Sequence, residues 1–314
     1  MDQTNRSVIV GESVVVKWLT PPAPLPHPAP DVFAHLTEVG FTATATPYAA
    51  VSRAGDGGEL LLALVTAYLP DARDGWQWCV DEAASGGTAF ATELGVLAAD
   101  LHVALATPSS VFPEPVRHTR DSREAKDGSR DDWSARAEDA VREALALTGG
   151  KAGQWLSTVA DSLRAGLAPL AVAGTTPLIR IHGDLHVGQV LRWRDGYAVI
   201  DFDGNPTVAG ADPFQPAARD FAQLITSLEH VGQVAVRRRG ADPLAIGEWA
   251  AAARAALETA YRTRLAERGH AALLDLSLVR PFEIEQECRE LIYAARHLPR
   301  WRYAPLGVLR SWYR

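Results

Sequence analysis

The 314-residue chain holds only two cysteines, Cys79 and Cys288, and neither lies in a CxxC pair or a Cys/His frame. That excludes a disulfide framework and a structural zinc finger, and suits a reducing cytoplasm. Positive charge is also short: 31 Lys and Arg stand against 38 Asp and Glu, a formal net charge of −7. A general nucleic-acid binder needs a basic face toward phosphate, so that class is excluded; a single anionic ligand in a locally basic cleft is not. No apolar run approaches the roughly 20 residues of a membrane span. The opening "MDQTNRSVIVGESVVVKW" has no basic segment followed by an apolar one, so no signal peptide is expected. Internal repeats and coiled-coil heptads are absent as well, and a monomer is expected.

What is present is apolar mass and local patterning. Hydrophobic residues make up 47% of the chain and charged residues 22%, enough core for two lobes. "SVVVKWL" (13–19) is β-branched and strand-like, and "TPPAPLPHPAP" (20–30) has the proline density of a loop. "DVFAHLTEVGF" (31–41) reads as a short helix stopped at Gly40. "TPYAAVSR" and "ELLLALVTAYL" read as strands joined at "AGDGG". A linker is expected over 70–78 ("PDARDGWQW"), where Trp76 and Trp78 would pack beneath a hinge. Helical spacing of leucines follows over 88–106, then a charged stretch (113–132) reads as a mobile loop. Further helices are expected at 132–148, 152–170 and 216–236, with the last 75 residues mostly helical and "RRR" (237–239) at a solvated helix end.

Two loops carry the chemistry. In "IHGDLHVGQVL", Gly183 and Gly188 free the backbone so that Asp184 can face a cleft while Leu185 and Val187 pack inward. Gln189 follows five residues later, and Asp201 emerges after the strand-like "YAVI". An amide oxygen beside a carboxylate suits Mg²⁺, a hard cation that takes few protein oxygens plus water and phosphate. A separate aspartate can orient and deprotonate a substrate hydroxyl. Alone, Asp184 would be an ordinary turn residue and Lys17 a solvated strand lysine; the second loop favours catalysis. The triplet His182, Asp184, His186 would suggest zinc, but the other histidines stand in no ligand frame.

"HGDLHVGQVL" followed by "VIDFDGNP" resembles the catalytic and metal loops of the aminoglycoside phosphotransferase-like kinases, and glutamine at 189 is closest to their maltokinase branch. The resemblance implies an α+β, two-lobed, protein-kinase-like fold: a small β-rich lobe (1–69), a linker (70–78) and a larger, mainly helical lobe (79–314). It implies Asp184 as catalytic base, Gln189 and Asp201 as Mg²⁺ ligands with Asp203 as a further one, and His182 as a brace through the metal-loop backbone. Lys17 would hold the ATP α/β-phosphates, and Ala67, Tyr68 and Leu69 would form the adenine hinge. Asp31 is the nearest acidic partner for Lys17, since no glutamate stands early in the first helix.

Late in the chain, "QECRELIYAARHLPRWRYAPL" (286–306) is similar to the sugar-site helix of maltokinases, with Ala294 replacing a glutamate, and its wording resembles the actinobacterial glucosamine kinases. Gln286, Glu290, Tyr293 and His297 share one helix face, with Ile284, Cys288, Leu291, Ala295 and Leu298 opposite; Tyr293 is nonetheless expected to be a core aromatic. Trp301 offers a platform for a pyranose, and Glu290, Glu287 and Asp184 are carboxylates suited to an amino-sugar cation. Gln286, Arg296 and His297 complete the expected sugar contacts. The implied activity is ATP- and Mg²⁺-dependent phosphorylation of an amino-sugar hydroxyl, glucosamine to its 6-phosphate. The alternatives are a maltokinase, an aminoglycoside phosphotransferase and a catalytically silent nucleotide-binding regulator.

Overall fold

The computed structural model describes residues 5–55, 58–119, 133–172, 174–204 and 212–313. Four antiparallel strands open the chain: β1 (Arg6–Val10), β2 (Val14–Pro24), β3 (Pro47–Gly55) and β4 (Gly58–Ala67), in the order β1-β2-β4-β3. Helix α1 (Pro28–Glu38) packs beneath them through Ala29, Val32, Phe33 and Leu36. The β-branched run at 14–16 supplies the regular part of β2. Contrary to the loop expected over 20–30, β2 continues to Pro24, because the register slips between Trp18 and Ala23. The slip lifts Pro21 and Pro22 out of the ladder, the place where a strand tolerates residues without an N–H. Helix α1 also starts three residues earlier than expected. His27 caps it by accepting from Ala29 N–H at 3.3 Å, and Pro28 stands in the first turn, where a missing N–H costs nothing.

The chain then crosses to the helical lobe. Helix α2 (Gly75–Ser85) begins inside the expected linker, with Asp74 accepting from Gln77 N–H at 3.1 Å. Gly75 is required there: a Cβ would lie 1.6 Å from the Val187 carbonyl oxygen, so only glycine lets the helix start press on the catalytic loop. Helices α3 (Ala89–Leu105), α4 (Trp133–Leu147), α5 (Gly150–Thr158), α6 (Ala160–Ala171), α7 (Ala217–Arg239), α8 (Pro243–Glu267), α9 (Val279–Arg296) and α10 (Tyr303–Trp312) form the bulk. Two small sheets are set among them: β5 (Val116–His118), β6 (Pro177–Arg180) and β9 (Phe214–Gln215), and the hairpin of β7 (Val190–Trp193) with β8 (Gly196–Val199). Strand β5 lies within the stretch expected to be loop; the remainder, 120–132, falls outside the described residues. Arg237, Arg238 and Arg239 end α7 in solvent before Gly240. Both cysteines are free and buried, and among the described residues no helix is long and apolar enough to cross a membrane.

Candidate active site

The loop from β6 to β7 is built around Asp184. Gly183 has φ of 84°, a left-handed turn closed to most side chains, and buried Leu185 and Val187 pin the loop to the core. The backbone N–H groups of His182 and Gly183 donate to the fully buried Asp220 at 2.7 and 2.9 Å. His182 Nδ1 accepts from Asp184 N–H at 3.3 Å, so its Nε2 carries the proton donated to the Ile200 carbonyl at 2.9 Å. That bond braces the Asp184 loop to the loop after β8, the pair of loops between which the sequence suggested a brace.

Asp184 itself accepts from Gln223 Nε2 at 2.6 Å and faces His186 Nε2 at 3.7 Å. His186 Nδ1 accepts from Gly188 N–H at 3.0 Å, which leaves the Nε2 proton for Asp184. Burial acts to raise the Asp184 carboxyl, but the His186 and Gln223 hydrogen bonds outweigh it and hold the group below its ordinary value. Burial likewise opposes the charged form of His186, yet Asp184, Glu290 and Asp201 raise it. The pair therefore favours an ionised carboxylate.

The second loop follows β8. Asp201 has φ of 70°, a left-handed conformation that aspartate visits more readily than most residues. Ile200 N–H donates to the Gln189 carbonyl at 2.9 Å, so Gln189 and Asp201 are tied through their backbones. Lys17 Nζ bridges Asp201 Oδ1 at 2.5 Å and Asp203 Oδ2 at 2.7 Å. Burial disfavours the Lys17 charge, but the two carboxylates outweigh it and raise the amine. The expected partner, Asp31, is replaced by these two residues: Asp31 is exposed in the first turn of α1, whereas β2 carries Lys17 across to the metal loop.

The hinge residues Ala67 and Tyr68 donate their N–H groups to the Thr46 and Ser13 carbonyls at 2.8 and 2.9 Å. Among the described residues, no backbone acceptor takes the Leu69 N–H.

The third component comes from α9 and the turn after it. Glu290 accepts from Gln286 Nε2 at 3.1 Å and from Trp301 Nε1 at 2.7 Å. The Trp301 ring stands edge-on to Trp76, with centroids 5.6 Å apart, and Trp76 lies 5.7 Å from the His186 ring. An aromatic wall thus connects Glu290 to the Asp184 loop. Trp76 belongs to this wall, while buried Trp78 packs against Phe90 and Tyr197 and donates to the Val190 carbonyl at 3.1 Å.

Several expectations for α9 need correction. Arg296 is exposed and pairs with Glu143, and exposed His297 stacks on Tyr293 at 5.4 Å; neither contacts Glu290 or Trp301 among the described interactions. Tyr293 is exposed rather than in the core. Ala294, not Ala295, is buried with Ile284, Cys288 and Leu291, so the elements packed around the helix, rather than its ideal period, decide which small residue is covered. Glu287 is fully buried against His230 instead of lining the cleft.

A profile described as the phosphotransferase enzyme family matches residues 2–204. The chain is also 40% identical to a glucosamine kinase of Streptacidiphilus jiangxiensis, over 97% of this chain and 70% of that relative. The chain belongs to the phosphotransferase enzyme family. A glucosamine kinase of Mycolicibacterium smegmatis is 38% identical over 98% of this chain and 77% of its own. A solved glucosamine kinase in complex with glucosamine, ADP and inorganic phosphate superposes with a TM-score of 0.83 at 38% identity, over 98% of this chain and 79% of that one.

Within this phosphotransferase, three contributors to the site escaped the sequence reading. Gln223 and Asp220 share one face of α7 three residues apart, but nothing local distinguishes them from other polar helix residues. His186 was visible only as part of a zinc-like triplet. Among the described residues, no group of three or more His, Cys, Asp or Glu is placed to hold a metal, which removes the zinc reading there.

Proposed function

We propose that this phosphotransferase moves the γ-phosphoryl group of ATP to a hydroxyl of glucosamine, the 6-hydroxyl, with Asp184 as the group that receives the hydroxyl proton. The observation that carries the reading is the Asp184 carboxylate joined through His186 and Trp76 to the Glu290–Trp301 pair. A reacting hydroxyl and a protonated amine can then be held by one ring's length of site. The names of the relatives at 38–40% identity support the same acceptor.

The roles follow from the geometry. Gln223 Nε2 fixes one Asp184 oxygen at 2.6 Å and His186 Nε2 stands 3.7 Å from the other, which would keep a lone pair to align the hydroxyl for in-line transfer. A carboxylate held below its ordinary value is a weak base. Its main contribution is orientation, with the proton moving late as the new P–O bond forms. Lys17, now on Asp201 and Asp203, would turn to the inner phosphates, and the Leu69 N–H would meet the adenine. Trp301 would stack under the pyranose and Glu290 would take the ammonium.

The residues at 189, 201 and 203 fit Mg²⁺. Their donors are hard oxygens, and Asp203 Oδ1 is buried without a hydrogen-bond partner. Burial and Asp201 push the Asp203 carboxyl up despite Lys17, the sign of two carboxyls crowded around one ammonium, a crowding that a divalent cation would relieve. Gln189, Asp201 and Asp203 would hold the ion, which when bound neutralises charge developing on the transferred phosphoryl group. We place the reaction in the cytoplasm, where ATP is abundant and two free thiols persist, and the enzyme as a monomer.

ATP consumption measured with glucosamine, maltose, glucose and kanamycin tests the reading. Turnover with glucosamine well above the other three is expected. Preference for maltose or kanamycin would replace the acceptor, and no turnover with any would favour a nucleotide-binding regulator.

A further inference from the structure

The interior behind Trp301 holds a pair of ionisable side chains that the roles above leave unused. Glu287 on α9 is fully buried, and His230 on α7 is nearly so. His230 Nε2 lies 2.9 and 3.0 Å from the two Glu287 oxygens. The His230 ring in turn stands edge-on to Trp301, with centroids 5.5 Å apart. On its other side Trp301 donates to Glu290 at 2.7 Å, and Gln286 occupies the second Glu290 oxygen. A buried carboxyl and imidazole are costly to keep unless they fix something. Burial, with Glu290 and Glu283, pushes the Glu287 carboxyl well up. Burial also lowers His230 despite Glu290 and Glu229. Both shifts favour the uncharged forms, in which imidazole and carboxyl share a hydrogen bond without adding charge beneath the sugar site.

We propose that His230 and Glu287 are positioning residues for the acceptor: their hydrogen bond sets the Trp301 ring, and the ring sets the Glu290 carboxylate toward the sugar amine. Neither touches substrate. The inference rests on the glucosamine reading, and it adds that selection of the amine extends to a pair behind the aromatic wall. A hydrophobic residue at 230 could fill the space equally well but could not lock the ring edge through a directional bond.

Binding of glucosamine and of ATP to the intact protein, followed by calorimetry, tests this in His230→Gln, Glu287→Gln and Trp301→Phe, alone and combined. The last substitution removes the indole N–H that grips Glu290. His230→Gln and Glu287→Gln are each expected to weaken glucosamine binding about tenfold, the size of one hydrogen bond's orientation, with ATP binding within twofold. Added to Trp301→Phe, either is expected to have little further effect, since the relay is already cut. Unchanged glucosamine affinity in folded single variants would overturn the proposal, as would full additivity with Trp301→Phe. If a variant melts early, binding measured well below its melting temperature gives the same comparison. Absence of glucosamine binding by the parent protein would instead remove the acceptor reading itself, so the two failures are distinguishable.

Discussion

The Lys17 cluster and the Glu290 cluster, the proposed nucleotide and sugar sides, both depend on carboxylates, yet they are held in opposite electrostatic states. At Asp201 and Asp203 the charge is met by the Lys17 ammonium, at 2.5 and 2.7 Å. At Glu290 both oxygens are held by neutral donors, the Gln286 amide and the Trp301 indole. Neutral donors fix direction without adding positive charge, so Glu290 is aimed but has no cationic partner among the described residues, an arrangement suited to a cationic ligand. On the proposed function, phosphate binding at Lys17 would first have to break its ion pairs with Asp201 and Asp203. One region is preorganised, the other self-neutralised. On the proposed function, the first arrangement would favour an amine and the second would leave the resting cleft charge-balanced.

Variants can break that contrast at either end. The largest effect is expected where the two sides meet. Asp184→Asn keeps the shape and the Gln223 contact but loses the charge, and kcat is expected to fall by about 10²–10⁴. Binding of ATP and glucosamine, measured calorimetrically, should change little; near-normal turnover would remove Asp184 from its role. Next, Glu290→Gln neutralises the directed anion while leaving ATP binding alone. The glucosamine KM is expected to rise on the order of 10–100-fold, with a smaller loss for glucose, which has no amine. Equal losses for both sugars would mean that the carboxylate does not read charge.

Lys17→Met tests the self-neutralised side. It removes the phosphate contact and also leaves Asp201 and Asp203 facing each other without their cation. The ATP KM is expected to rise about tenfold, and added divalent cation should raise the melting temperature of the variant more than that of the parent. A parent and variant with the same response would separate Lys17 from the aspartates. The smallest effect concerns pH. His186 and Gln223 hold the Asp184 carboxyl down against the burial that raises it. His186→Gln removes the first of these, so the carboxyl rises and takes up its proton at higher pH. The acid limb of kcat/KM is therefore expected to move upward in pH, with the alkaline limb nearly still; a downward shift would contradict the Asp184–His186 coupling.

Much of this was readable without coordinates, for local reasons. Asp184, Gln189 and Asp201 stand in two short segments whose glycines and β-formers force the polar side chains out at loop ends. Chain chemistry brings them to loop ends, family resemblance implies their roles, and the His182 brace is a bond between neighbouring loops. Lys17 was legible as a strand lysine, but its partners were not: Asp201 and Asp203 lie more than 180 residues away. Trp76 shows the same limit, since only the packing of α2 against the catalytic loop turns a linker tryptophan into part of the sugar wall. On α9, periodicity pointed to Ala295, but the elements packed around the helix cover Ala294 instead and leave Arg296 and His297 exposed.

The amino-acid order on its own indicated a β-rich segment followed by a longer helical one, with two polar loops at strand ends, since hydrophobic period and turn chemistry act over a few residues; the roles of those loops and of α9 came from family resemblance. Only the folded chain decided which charges are cancelled and which stay open: Lys17 with its aspartates, Glu290 between two neutral donors, and Glu287 with His230. Those outcomes depend on distance and burial across elements far apart in sequence, and Coulomb energy and desolvation are set by that three-dimensional proximity.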